Sequence, residues 1–178
     1  MTRIALFGGS FDPPHLGHIF AAIHARIVGS VDKVWVLPVA HHPYGKNLSP
    51  WNQRLALLNA AFHDFPFVEI RQDEQQNPKG HTFSLVNSLA EQYPDTEWIL
   101  VGGTDTYDDL INWYRGAELQ QMVTVHAVPR RGFDNNNPAA LPQISSSDAR
   151  KRCQAGESLA SFLPQSVIQL IESNGWYR

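Results

Sequence analysis

The chain has 178 residues, of which 43% are hydrophobic and 17% charged, which favours one globular domain with a real core. Its formal net charge of -3 argues against a nonspecific nucleic-acid binder, which would be basic. The single cysteine, Cys153, excludes an intrachain disulfide and a cysteine-based zinc site, and no apolar run reaches the length of a membrane span. We therefore expect a cytoplasmic protein with neither nucleic-acid nor membrane partners.

Apolar runs that suit buried strands alternate along the chain with segments of helical periodicity. The strands are predicted, in chain order, at residues 3–7, 34–39, 67–71, 98–101 and 122–128. Helices are predicted over residues 15–28, 50–63, 84–93 and 105–114, after a cap at 145–147, and from about residue 164. Residues 40–50, 72–80 and 132–142 are predicted loops. The pattern predicts a single Rossmann-like α/β domain, residues 1–178, with helices on both faces of a parallel sheet.

Glycines and histidines follow the first predicted strand. Gly8 and Gly9 end the apolar run with unusual backbone freedom, and the next predicted helix begins near His15. Exposed amides at the start of a helix suit phosphate, and ligands of parallel sheets bind beyond the carboxyl ends of the strands. His15 and His18 are three residues apart and share one helix face. The segment therefore predicts a phosphate-binding site.

Other chemistries suit this segment less well. A zinc site would need further ligands such as His41 and His42, and no HExxH or cysteine pattern supports one, so no metal site is expected. The G-x-S-x-G, Walker A and G-x-G-x-x-G patterns are also absent. Two ordinary structural histidines remain as an alternative, which the adjoining glycine turn and helix start disfavour.

Residues 8–18, GGSFDPPHLGH, resemble the HxGH signature of a nucleotidyltransferase superfamily, in a form similar to bacterial nicotinate-nucleotide adenylyltransferases. Residues 144–150, ISSSDAR, resemble the ISSTxxR motif of the same family. Residues 102–105 followed by Trp113 resemble its GxD…W element, and residues 128–132 resemble its arginine-glycine segment. The motifs occur in the family's order and span nearly the whole chain.

This resemblance implies an enzyme that transfers AMP from ATP to a pyridine mononucleotide, with nicotinate mononucleotide as the expected acceptor and Mg²⁺ bridging the phosphates. By the family pattern, the catalytic residues are His15, His18, Lys46 and Arg150. ATP would be bound by Gly8, Gly9, Ser10, Phe11, His18, Gly102, Asp105, Ile144, Ser146, Ser147 and Arg150. The mononucleotide would be bound by Ser10, Phe11, Lys46, Thr82, Trp113 and Arg130.

Two segments depart from the family pattern. Residues 41–46 read HHPYGK where Pro-Pro-His-Lys is usual, so Lys46 is either a phosphate ligand or a surface lysine. His81 and Thr82 stand where Ser-Tyr-Thr is usual, and that region contacts the pyridine substituent in the family. Nicotinamide mononucleotide, or phosphopantetheine in a related enzyme, therefore remain alternative acceptors.

Several residues also have a purely structural interpretation. Asp105 is either a ribose ligand or a helix cap, and Trp113 either stacks on the pyridine ring or packs in the core. Arg54 fits an arginine of the family and fits equally well a solvated charge on its helix. A catalytically silent nucleotide-binding module is the alternative of a different class, and a homo-oligomer is compatible with the sequence.

Overall fold

The computed structural model describes residues 1–41, 45–131, 137–138 and 140–178, apart from the side chains of Asp105 and Tyr107. Five parallel strands form one sheet with the order β3-β2-β1-β4-β5. Their bounds are Thr2–Gly9 for β1, Lys33–Pro38 for β2, Val68–Ile70 for β3, Thr96–Gly103 for β4 and Val123–Val128 for β5. This order and the parallel pairing confirm the predicted Rossmann-like α/β fold.

Seven α-helices lie between the strands or after the last of them, within the described residues. They are α1 (Leu16–Ile27), α2 (Trp51–Phe62), α3 (Thr82–Gln92), α4 (Thr104–Asp109), α5 (Gly116–Met122), α6 (Ser146–Gln154) and α7 (Gln165–Asn174). None of the described helices is both long enough and apolar enough to cross a membrane.

Alternating side chains of β1 supply two separate hydrophobic clusters, as a pleated strand buried on both faces requires. Ala5 and Phe7 belong to the cluster that includes residues of α1, α2 and α7. Ile4 and Leu6 belong to the cluster that includes residues of α3 and α5. Helices therefore cover both faces of the sheet, as the sequence predicts.

The predicted helix over residues 105–114 is wrong in its second half. Helix α4 ends at Asp109, a 3-10 turn follows at Leu110–Asn112, and α5, which the sequence pattern did not indicate, begins at Gly116. A β-carbon at Gly116 would lie 2.2 Å from the carbonyl oxygen of Leu110, so only a glycine lets α5 begin this close to the 3-10 turn. The predicted loop at 72–80 likewise contains a 3-10 helix, Asp73–Gln76.

The strand order places a topological switch at the centre of the sheet. The chain leaves β1 toward β2 on one side and reaches β4 on the other side only later. The loops after β1 and β4 therefore diverge and open a crevice at the carboxyl edge of the sheet. The predicted phosphate loop, residues 8–18, lies at this position.

Candidate active site

A cavity of about 550 Å³ lies in this crevice. Its volume is within the range of small-molecule and cofactor sites. The lining comes from the ends of β1, β2 and β4, from the start of α1, and from the segment that enters α6. Predicted site residues that line the cavity are Gly8, Gly9, Ser10, Phe11, His15, His18, Lys46, Thr82, Gly102, Trp113, Arg130, Ile144, Ser146 and Ser147.

Glycines allow an unusually close turn between β1 and α1. Phe11 has a φ of 48° and is only 1% exposed, so its ring folds back beneath the turn. A β-carbon at Gly9 would lie 3.0 Å from that ring, whereas a β-carbon at Gly8 would meet no atom within 4 Å. Gly9 is thus required by packing, and Gly8 leaves its backbone open toward the cavity.

His15 and His18 form a stacked pair at the start of α1. Their ring centroids are 3.6 Å apart, with an angle of 21° between the planes. The backbone N–H of His15 donates a hydrogen bond to Nδ1 of His18 at 3.1 Å. Because Nδ1 is the acceptor, a neutral His18 carries its proton on Nε2. A β-carbon at Gly17 would lie 3.0 Å from Nδ1 of His15, so that glycine makes room for the pair.

Both imidazoles are held in their neutral form. Burial lowers the pKa of His15 from 6.5 to about 4, and the positive charge of Arg130 adds to this effect. Burial, with smaller contributions from His15 and Arg130, lowers the pKa of His18 well below its usual value. Nδ1 of His15 is buried and has no hydrogen-bond partner. A bound anion would favour the protonated forms, so this pair is suited to a negatively charged ligand.

Arg54 joins the loops that follow β1 and β2. Its guanidinium donates to the carbonyl oxygens of Ser49 at 3.1 Å, Ser10 at 3.0 Å and Val39 at 3.0 Å. The side chain is almost fully buried, which contradicts the interpretation as a solvated helix charge. The sequence could not distinguish these alternatives, because the three acceptors are main-chain atoms of distant segments.

The start of α6 is attached to the phosphate loop. Ser145 caps this helix, since its Oγ accepts the backbone N–H of Asp148 at 3.1 Å. Ser146 Oγ donates to the carbonyl oxygen of Pro13 at 2.8 Å. Residues at the start of α6 (Ser145, Ser146 and Ser147) and at the start of α1 (His15, Gly17 and His18) line the same cavity, so the two helix N-termini lie beside it.

Arg150 lies behind the phosphate loop rather than at the cavity surface. One guanidinium nitrogen donates to the carbonyl oxygen of Asp12 at 2.5 Å, and the other is 3.4 Å from Oγ of Ser147. Arg150 is not among the described residues that line the cavity, although Ser147 is. Its contact with a nucleotide phosphate therefore remains a prediction.

Trp113 also lines the cavity. Its Nε1 donates to Asp109 at 3.1 Å, and the ring packs against the hydrophobic cluster while it also lines the cavity. Both interpretations of Trp113 are therefore compatible. His81 is turned aside, because its ring stacks on that of Tyr114 with centroids 4.2 Å apart.

Two site features could not be read from the sequence. Glu74 is a buried carboxylate that lines the cavity and accepts a hydrogen bond from Asn77 at 2.9 Å, and burial raises its pKa. The sequence of the predicted loop did not indicate that Glu74 would be buried at the cavity.

Gly102 faces Thr106, whose side chain lies 2.6 Å from the position that a β-carbon at Gly102 would take. The predicted role of Asp105 depends on a side chain that lies outside the described residues. Residues 42–44, 132–136 and 139 also lie outside them.

Comparisons with known proteins identify the family of this chain. The profile of the cytidylyltransferase-like family matches residues 6–152. A probable nicotinate-nucleotide adenylyltransferase of Anaeromyxobacter sp. (strain K) is 36% identical over 99% of this chain and 97% of that protein. A protein of the same name from Geobacillus thermodenitrificans (strain NG80-2) is 32% identical over 99% of this chain and 87% of that protein.

The solved structure of a Plasmodium falciparum nicotinic acid mononucleotide adenylyltransferase, complexed with NaAD, has a TM-score of 0.84 with this chain. The superposition covers 99% of this chain and 98% of the Plasmodium chain. The sequence identity is 18%, so this likeness supports the fold alone. The full-length sequence relatives confirm the resemblance carried by residues 8–18 and 144–150. The chain belongs to the cytidylyltransferase-like family and, within it, to the nicotinate-nucleotide adenylyltransferases.

Proposed function

We propose that this enzyme transfers the adenylyl group of ATP to nicotinate mononucleotide and produces deamido-NAD and pyrophosphate. One observation carries the proposal: a single cavity is lined both by the stacked His15 and His18 and by Trp113. It combines an anion-binding end with an aromatic end, as a pyridine mononucleotide requires.

The reaction needs positioning and charge neutralisation more than covalent chemistry. An oxygen of the mononucleotide 5′-phosphate attacks the α-phosphorus of ATP in line. The bond between the α-phosphorus and the bridging oxygen breaks, and pyrophosphate leaves with the electron pair. His18 would donate from Nε2 to a phosphate oxygen, because its Nδ1 is already occupied by the His15 amide.

The triphosphate would lie between the two helix starts. Gly8, Gly9, Ser10 and Phe11 would offer backbone donors on one side, and Ser146 and Ser147 would lie on the other. Arg130, at the cavity wall, would add positive charge, and the same charge already lowers the pKa of both histidines. We propose that the adenosine lies toward Gly102, where β4 ends.

Magnesium would enter with ATP as part of the substrate. Within the described portion of the chain, no cluster of three or more histidine, cysteine or acidic residues could hold a metal ion. Asp12, the carboxylate within the phosphate loop, has its oxygens bound by Tyr177 and by the amide of Ser49. Mg²⁺ would therefore be held by phosphate oxygens of the substrate and by water, which are ligands that this ion prefers.

The pyridine ring would stack on Trp113, with Thr82 beside it. Lys46 is exposed and lines the cavity, which supports a contact with the mononucleotide phosphate. His81 is occupied by Tyr114, so recognition of the pyridine substituent would depend on Thr82 and on neighbouring backbone amides rather than on the His81 ring.

Pyrophosphate release from ATP and Mg²⁺ tests this proposal when nicotinate mononucleotide, nicotinamide mononucleotide and phosphopantetheine are supplied in parallel. We expect a strong preference for nicotinate mononucleotide, with deamido-NAD identified by mass. Preference for the amide would revise the acceptor and keep the chemistry. Wild-type protein that binds ATP but is silent with all three would contradict the proposal and favour a nucleotide-binding module. His18→Ala serves as the inactive control.

A further inference from the structure

The last residues of the chain return to the phosphate loop. The hydroxyl of Tyr177 donates to Oδ1 of Asp12 at 2.6 Å, although the two residues are 165 positions apart. Helix α7 ends at Gly175, which has a φ of 65°, and Tyr177 has a φ of 62°. These two left-handed residues turn the chain end back over the core, where Trp176 and Tyr177 pack.

Asp12 connects four segments of the molecule. It is only 3% exposed, and its second carboxylate oxygen accepts the backbone N–H of Ser49 at 3.0 Å. Its own carbonyl oxygen accepts a hydrogen bond from Arg150 of α6. The loop after β1, the segment before α2, helix α6 and the chain end therefore meet at this one residue.

Asp12 also immediately follows the residues proposed to surround the phosphates. Phe11, its neighbour, holds the left-handed backbone conformation that turns the loop. A buried carboxylate must have its hydrogen bonds satisfied, so a lost partner shifts the carboxylate or admits water. A shift of Asp12 would pass directly into the backbone of Ser10 and Phe11, whereas β3 and α3 would remain unaffected.

We propose that Tyr177 is a positioning residue for adenylyl transfer: its hydroxyl holds Asp12, and Asp12 holds the backbone of the phosphate loop in the catalytic geometry. This inference rests on the proposed function. Tyr177 keeps its proton for this purpose, because burial and the Asp12 carboxylate raise its pKa. The chain end thus contributes to turnover without touching the substrate.

The test is a double-mutant cycle on kcat with Tyr177→Phe, Asp12→Asn and the combination of both. Tyr177→Phe should lower kcat about tenfold to a hundredfold, as expected for a lost hydrogen bond to a charged group that acts on the transition state. The KM for each substrate should change less than about threefold. In the Asp12→Asn background the further effect of Tyr177→Phe should be below about twofold, because Tyr177 acts through Asp12.

Ser166→Ala is the matched control. Ser166 Oγ donates to the carbonyl oxygen of Ala60 at 2.7 Å, so this substitution also removes one hydrogen bond that anchors the C-terminal segment, but one in which Asp12 takes no part. It should lower thermal stability and leave kcat unchanged. A purely structural Tyr177 would behave in the same way.

Hydrogen exchange provides a readout that does not depend on activity. Tyr177→Phe should accelerate amide exchange at residues 8–11 by about tenfold or more and leave β3 unchanged. Wild-type kcat in Tyr177→Phe, multiplicative effects in the double mutant, or unchanged loop exchange would each overturn the inference. If the wild-type protein itself proves inactive, the proposed function fails, and loop exchange alone decides whether Tyr177 positions the loop.

Discussion

Acidification should destabilise this protein through His15. In the folded chain burial lowers the pKa of this imidazole from 6.5 to about 4, whereas the unfolded chain restores the ordinary value. Below pH 6.5 the unfolded state therefore binds more protons than the folded state. Linkage then requires the free energy of unfolding to fall as the pH falls.

The magnitude follows from the two pKa values. With 6.5 in the unfolded chain and about 4 in the folded chain, His15 alone should cost about 2 kcal/mol at pH 5 and about 3 kcal/mol at pH 4. The loss begins just below pH 6.5 and levels off below pH 4. His18 adds to it in the same direction, because its pKa is also lowered by burial.

Urea unfolding of wild type and His15→Gln at pH 7.5 and pH 5 measures this contribution. Carboxylates that titrate in this range are common to both proteins and cancel in the difference. We expect the wild type to lose about 2 kcal/mol more than His15→Gln between the two pH values. Ser166→Ala, which is destabilised without loss of a titrating group, should follow the wild-type dependence in parallel.

An equal loss of stability in wild type and His15→Gln would refute the reasoning, because His15 would then not be the group that burial holds neutral. Pyrophosphate offers a second check on the wild-type protein. An anion that binds beside the two imidazoles should raise their pKa values and reduce the acid sensitivity.

Four other substitutions and one matched control give separate expectations. His18→Ala should lower kcat by about a hundredfold or more with little change in Tm, since it removes a donor to the reacting phosphates; near-normal turnover would contradict that role. Trp113→Ala should raise the KM for the mononucleotide about tenfold and the KM for ATP much less, whereas equal effects would assign the ring to packing. Arg54→Met should lower the free energy of unfolding by about 3 kcal/mol in urea titrations, because three partly buried carbonyl oxygens lose their donor; a loss below about 1 kcal/mol would contradict it. Gly102→Ala should cost about 1–3 kcal/mol by the same measurement, because the new methyl would meet Thr106 at 2.6 Å, while Gly8→Ala, with open space around it, should leave the stability unchanged.

The alternation of apolar runs determined the class of the fold. The five strands lie within a few residues of their predicted positions, because a strand buried on both faces needs an almost continuous apolar run. Helices α4 and α5 escaped prediction as separate elements. The start of α5 depends on the close approach of Gly116 to Leu110, and a six-residue and a seven-residue helix carry too little periodicity to be recognised.

The composition of the candidate site was also largely present in the sequence. Residues 8–18 and 144–150 have local spacings that reveal a glycine turn, a histidine pair and a capped helix. Backbone freedom, the amides at a helix start and side-chain neighbours three residues apart are local properties, so they can be recognised from the sequence alone.

Long-range contacts were decided only by the tertiary structure. Nothing near Arg54 in the sequence shows that its charge is buried against three carbonyl oxygens, nor does the segment 72–80 show that Glu74 lines the cavity. The approach of Tyr177 to Asp12 joins the two ends of the chain. Such contacts arise when the sheet brings distant segments together, and burial then sets both their energy and the pKa values of His15 and His18.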